Sequence, residues 1–266
     1  MTIQQTGRFT TEQDLRAAIR SGAFTGHTAG LAPGKLQCNI AILPAKHALD
    51  FLRFCLRNPK PCPIVGVAET GDPALPTLGP DIDIRHDLPR YRLYRDGQFA
   101  EEVTDIAAHW RDDMVTVALG CSFTFERALM AAGIPMRHVE QNRTVPMYRT
   151  NLPLVPGGAF GGTMVVSMRP LRGADVPRAV EISARYPHAH GAPVHVGDPA
   201  AIGIAALERP EWGDPVDIAD DEVPVFWACG VTSQHALLSA GIPLVITHAP
   251  GHMLISDIDE SSDRPI

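Results

Sequence analysis

The stretch VTVALGCSFTFERALMAAGIP, Val115 to Pro135, decides how this chain is read, because it is written twice. From Val223 to Pro243 the sequence runs VPVFWACGVTSQHALLSAGIP, the same length without a gap, and ten of the 21 positions agree. Chance at ordinary composition supplies roughly one or two. The agreements include Cys121 with Cys229, Thr124 with Thr232, and the closing Gly-Ile-Pro at 133–135 and 241–243. Each copy reads as a buried strand, a short turn and a helix: MVTVAL then FERALMAA in the first, VPVFWA then QHALLSA in the second. Gly133 and Gly241 stand where a left-handed helix stop belongs, and the prolines two residues later keep the helix from continuing. Gly-Ile-Pro is expected to lead into a further strand.

Working outward, Thr10 followed by Gln13 is a capping-box spacing that opens a short helix ended by Gly22. TGHTAGLAPG is loop. LQCNIAIL reads as a strand, PAKHALDFLRFCLRN as a helix with Pro44 in its first turn, and PIVGVAE as a buried strand, together a β-α-β unit. Residues 70–89, rich in Pro, Gly and Asp, are expected to be loop, and YRLYRDGQFAEEV a hairpin turning at Asp96-Gly97. Between the copies lie YRTNLPL, read as loop, a glycine-rich run, a helix from about 175 to 186, and the His-rich PHAHGAPVHVGDP. Alternating strands and helices give an α/β class, expected as a mixed-sheet α/β/α layered domain containing the duplicated unit. Residues 1–135 and 216–266 form its expected body, with 136–215 as a smaller inserted α+β domain.

The chain has 266 residues, 45% of them apolar, enough for a full core near the size at which one core begins to divide. Its 23 basic residues are outnumbered by 30 acidic ones and form no stripe, which argues against nucleic acid as a partner. Only Lys35, Lys46 and Lys60 are lysines, so arginine carries most of the positive charge. MTIQQTGRFT lacks the apolar core of a leader, and no window reaches the length of a membrane span. A cytoplasmic protein is expected, and a homo-oligomer is left open. Five cysteines without a CxxC argue against a disulfide framework and a structural zinc site. Cys55, on the apolar stripe with Leu52 and Leu56, reads as a buried hydrophobe.

In both copies a cysteine ends the strand three residues before a threonine placed to cap the helix. Unpaired N–H groups and the positive end of the dipole suit such a turn to a carboxylate or a developing oxyanion, and lower the pKa of a nearby thiol. Ligands of α/β sheets bind at the carboxyl ends of strands. Two such turns packed face to face would make a pseudo-twofold cleft around Cys121, Ser122 and Thr124 on one side and Cys229, Gly230 and Thr232 on the other. The competing reading is a duplication that matches only packing, with both cysteines as filler. His188, His190, His195 and Asp198 fall within eleven residues, and although HxH with a further His and Asp is a metal-like spacing, no second carboxylate is near, so proton transfer is the better role. His248 and His252 flank the Pro250-Gly251 turn, while His47 and His109 read as structural. Tyr148, Arg149 and Asn151 offer a phenol, a guanidinium and an amide to a carboxylate. GGAFGG lacks the GxGxxG spacing and GCSFT the GxSxG elbow, so neither a nicotinamide or flavin cofactor nor a serine nucleophile is expected. No metal or other cofactor is assigned.

With those residues named, the chain resembles the D-glutamate cyclase-like family from about Gly34 to Asp259. The resemblance rests on NPKPCP (58–63), DIRHDLPRYRLYRDG (83–97), GCSFTFE (120–126), YRTN (148–151), MVVSMRP (164–170), HGAPVHVGDP (190–199), WACGVTSQ (227–234) and THAPGHMLISD (247–257). It implies a hydro-lyase, such as one closing D-glutamate to 5-oxo-D-proline with loss of water. That reaction needs anchors for two carboxylates, a base for the amine, an acid for the departing hydroxyl and donors for the oxyanion. The two turns would supply anchor and oxyanion hole, with Tyr148, Arg149 and Asn151 on the carboxylate. Glu126, His190, His195, Asp198 and His252 are the candidate proton carriers, beside the two thiols. A cofactor-independent racemase working through Cys121 and Cys229, or a carboxylate-binding protein without turnover, are the alternatives.

Overall fold

The strand of the first repeat, β5 (Met114–Gly120), is buried at every position because it lies inside a sheet covered on both faces. A computed structural model describes residues 9–260 of the chain, and the leaderless start expected for residues 1–8 lies outside them. On one side β5 pairs with β1 (Lys35–Pro44), on the other with β2 (Ile64–Val67), both antiparallel. The strands of the expected β-α-β unit thus run in the same direction around α2 (Ala45–Arg57), but with β5 between them. Beyond β1 come β10 (Val245–His248), β3 (Tyr91–Arg95) and β4 (Gln98–Val103), and β11 (Leu254–Asp259) continues along β1. β3 and β4 are the expected hairpin about Asp96-Gly97.

The helix α2 covers one face of this sheet. Phe51, Phe54 and Cys55 of α2 pack there on Ala41, Leu43, Val115, Val117 and Val245. The other face is closed by the Pro- and Gly-rich segment, through Leu75, Leu78, Ile82, Ile84 and Leu88. Tyr91 holds that segment by donating to the Ile84 carbonyl at 2.7 Å and accepting the Leu88 N–H at 3.1 Å. The expected α/β/α layering is therefore helix on one side and ordered loop on the other. α1 (Glu12–Arg20) clamps the loop with charge: buried Arg16 meets Asp81 and Asp257, and Arg20 meets Asp87. Its capping box is Thr11 with Asp14, one residue on from the expected Thr10 and Gln13.

A second sheet, all antiparallel, has the order β6 (Met147–Pro153), β7 (Thr163–Arg172), β9 (Glu222–Ala228), β8 (His195–Val196). YRTN, expected as loop, is thus the edge strand β6. β9 is the strand of the second repeat, so the smaller sheet reaches past the boundary expected at residue 216. Gly-Ile-Pro of the first copy leads not directly into a strand but into a short helix α4 (Arg137–Glu140); both repeat glycines adopt the left-handed conformation the helix stop requires.

The repeats cross between the sheets. β5 lies in the large sheet, yet its helix α3 (Phe123–Ala131) buries Phe125 and Leu129 against Val225 and Trp227 of the small one and Ala179 of α5 (Val176–Ala184). β9 lies in the small sheet, yet its helix α6 (Val231–Ser239) buries Ala236 and Leu237 against the large one. Full burial of a Leu or Phe side chain contributes roughly 1.5–3 kcal/mol, so each crossing helix stitches the two sheets together. Cys121 and Cys229 mark the two crossing points.

Candidate active site

Each crossing turn is built from its own backbone. Ser122 and Gly230 occupy the N-cap positions already in helical conformation, so the threonines fall inside the first turn and cap nothing. Thr232 instead accepts the Val165 N–H at 3.0 Å and donates to the Val165 carbonyl at 3.1 Å, tying α6 to β7. The Thr124 hydroxyl is buried with no partner among the described residues. The first N–H groups of the helices act locally: those of Phe123 and Val231 work to lower the pKa of the Cys121 and Cys229 thiols. Those of Thr124 and Thr232 meet the two cysteine carbonyls at 3.3 and 3.0 Å.

These donors favour thiolate, but burial outweighs them. Withdrawal from water pushes Cys121 up to about 12 and Cys229 up to about 11. This reverses the activation expected from the helix ends, because the charged form loses more by desolvation than one N–H returns. Both thiols stay protonated at neutral pH. Each lies within electrostatic reach of Arg169 and Glu126, and Cys121 also of Cys229 and of Cys38 on β1.

Arg169 is fully buried on β7 and organises the centre. It donates through Nε to Glu126 at 3.0 Å, through Nη1 to Ser167 at 2.8 Å, and through Nη2 to Ser122 at 3.2 Å and again to Glu126. Its guanidinium lies 5.1 Å from the Phe125 ring and 5.3 Å from that of Trp227. Burial alone would raise the Glu126 carboxyl, but Arg169 and His138, whose Nε2 is 3.4 Å away, hold it down at about 2. Glu126 is accordingly a fixed anion, neutralised by Arg169.

Close backbone approach brings the remaining parts together. A Cβ on Gly120 would stand 1.6 Å from the His188 carbonyl oxygen, so only glycine lets the His-rich turn dock beside Cys121. That docking delivers His190, itself in the left-handed conformation. Its Nδ1 faces the Lys60 carbonyl at 2.9 Å, and since a carbonyl only accepts, Nδ1 carries the hydrogen and Nε2 the lone pair. Burial, with Arg169 and Lys60 nearby, brings His190 down to about 4. Asn39 on β1 joins the two turns, donating to the Gly120 carbonyl at 2.7 Å while its amide fills the space a Cβ on Gly230 would need, 2.5 Å away.

Other expected residues lie elsewhere. His195, on β8, faces the Asp198 carbonyl at 2.7 Å, and the Asp198 carboxylate accepts the Ala200 N–H at 3.0 Å, a local turn. His252 meets the His27 ring at a tilt with centroids 4.5 Å apart, and burial lowers its pKa. His248 fills a gap in the large sheet, accepting the Ile40 N–H at 3.1 Å. Tyr148 points to the far face of the small sheet, donating to the Leu207 carbonyl at 2.7 Å. Arg149 and Asn151 are exposed on β6. Among the described residues no group of three or more His, Cys, Asp or Glu side chains is arranged to hold a metal ion. Arg169, Asn39 and His138 were not singled out from the sequence. Only Arg169 left a signal, as a cation inside the apolar strand MVVSMRPL, which demands a buried counter-ion.

The fold and this crossover define an α/β protein whose two repeats converge on a buried arginine–carboxylate pair flanked by protonated thiols and a neutral imidazole. The chain belongs to the D-glutamate cyclase family, whose profile matches residues 115–257. A relative from Jannaschia sp. (strain CCS1), named "Putative hydro-lyase", is 67% identical over 95% of each chain. Another of the same name, from Rubrobacter xylanophilus, is 60% identical over 92% of this chain and 94% of its own. A solved structure, a nitrogen repressor-like protein from Methanococcus jannaschii, aligns with 89% of this chain and 92% of its own at a TM-score of 0.40 and 11% identity, a likeness too slight to inform fold or function. No helix among the described residues is long and apolar enough to cross a membrane.

Proposed function

We propose that the protein is a hydro-lyase acting on a small amino-dicarboxylate, closing D-glutamate to 5-oxo-D-proline at the crossover of the two repeats. The observation that carries this reading is the buried Arg169–Glu126 ion pair where the two repeats cross, with the turn that bears the neutral His190 imidazole docked against Gly120, next to Cys121. Ring closure forms a C–N bond between the α-amino nitrogen and the γ-carboxyl carbon and breaks a C–O bond. Both hydrogens lost from the ammonium leave in the water with that oxygen. Nε2 of His190 accepts protons from the nitrogen, and the negative charges of a bound dicarboxylate raise its basicity from its depressed resting value. A thiol of pKa about 11 or 12 is a fitting acid for a departing hydroxyl, and recovers its proton from His190. Arg169 and Glu126 are positioning residues in this scheme, holding Ser122 and the first turn of α3.

The placement of one thiol at each crossing turn, with Cys229 acting electrostatically on Cys121, favours one second reading, a two-thiol racemase. Incubation with D-glutamate in deuterated water, followed by mass spectrometry, separates the readings. The cyclase gives a dehydrated product without deuterium at the α-carbon. Deuterium at that carbon in recovered glutamate selects the racemase, and binding without any conversion removes both.

A further inference from the structure

The second turn also has an outer side. Val165 and Arg169 lie an even number of residues apart on β7 and so share its crossover face. Arg149 of β6 stands opposite Val165, one strand further out on the same face. Trp212 bridges to Met147 and packs with Met147, Val165, Cys229 and Val231 in one apolar cluster. The Arg149 guanidinium lies over the Trp212 ring, 5.3 Å from its centroid. His235, one turn into α6, meets the same ring edge-on at 6.4 Å. Arg149 is exposed, and among the described residues no carboxylate pairs with its guanidinium; Glu211 is engaged with the Arg149 backbone N–H at 3.2 Å.

We propose that Arg149, Trp212 and His235 form an outer carboxylate subsite at the approach to Cys229, reading the second acid group of the substrate. The inference rests on the proposed function and deepens it, because it makes a dicarboxylate rather than a monocarboxylate the preferred ligand. The indole braces the guanidinium plane through cation–π contact and leaves its edge free, so two parallel N–H groups can meet a carboxylate. His235 contributes a further donor beside it. Its pKa is lowered by burial and by the Arg149 charge, so its neutral imidazole can donate without adding a second cation. The Trp212 ring that carries the guanidinium belongs to the apolar cluster that contains Cys229.

The test is titration of the full chain with D-glutamate and with D-glutamine, followed by intrinsic fluorescence and repeated by calorimetry. Wild type is expected to bind D-glutamate more tightly, with a fluorescence change that Trp212→Phe reduces. Arg149→Gln is expected to weaken D-glutamate about 10- to 100-fold, as loss of a charge-assisted pair does, and to leave D-glutamine within about twofold. Arg149→Lys, keeping the charge but not the fork, falls between. Unchanged D-glutamate affinity in Arg149→Gln, or equal loss for both ligands, overturns the subsite while leaving the proposed function standing. Failure of wild type to bind either ligand or 5-oxoproline overturns both.

Discussion

Replacing Arg169 by methionine removes the cation from a carboxylate that cannot reach water. Glu126 is 5% exposed and held at about 2, against about 4.3 for an ordinary glutamate, a difference worth about 3 kcal/mol. Breaking a buried pair from one side costs about 3–5 kcal/mol, because the orphaned charge stays behind. Arg169→Met is therefore expected to lower the urea-unfolding free energy by that amount at pH 7, with the slope unchanged. The double variant Arg169→Met/Glu126→Leu should regain most of the loss, since no uncompensated charge remains. The pH dependence follows from the depressed carboxyl: in wild type the contribution is complete above about pH 4.3 and disappears as pH falls through about 2. In Arg169→Met the orphaned carboxyl can take up a proton, so the defect shrinks between pH 8 and pH 5. A loss below about 1 kcal/mol, as an exposed pair would give, or a double variant no better than the single, would refute the reasoning.

Further outcomes follow from the same geometry. At pH 8 the thiolate fraction is on the order of one in a thousand for Cys229 and one in ten thousand for Cys121, against about a quarter for an ordinary thiol; alkylation of the native chain should be at least a hundredfold slower than after unfolding, and rapid labelling of either residue would contradict the burial. The His190 resonance should titrate near pH 4 and move upward when a dicarboxylate binds. Because the unfolded histidine protonates first, its contribution to stability is present above about pH 6.5 and lost as pH falls through about 4. Gly120→Ala forces a Cβ into the His188 carbonyl and should cost about 1–3 kcal/mol, read as a lowered melting temperature with loss of the His190 shift; a variant as stable as wild type would show that the His-rich turn is not docked there.

What was legible in the sequence was local. The repeat strands and helices, their glycine stops and the hairpin at Asp96-Gly97 are set by residues within a turn or two of one another. Which sheet each helix covers is decided by contacts such as Phe125 with Trp227, about a hundred residues apart, and no periodicity encodes that. The threonines do not cap because the helical conformation already begins at Ser122 and Gly230, which places Thr124 and Thr232 inside the first turn. The thiols misled because helix polarity is visible in sequence and desolvation is not. Glu126 and His190 were readable as titratable groups, but their opposite fates come from packing: Arg169 beside Glu126 fixes the anion, and burial keeps His190 neutral.

The most direct test is a crystal structure of the chain with D-glutamate or 5-oxoproline bound. The account predicts the ligand between the turns at Cys121 and Cys229, within hydrogen-bonding reach of His190 Nε2. Ligand bound at a site that touches neither turn would contradict it.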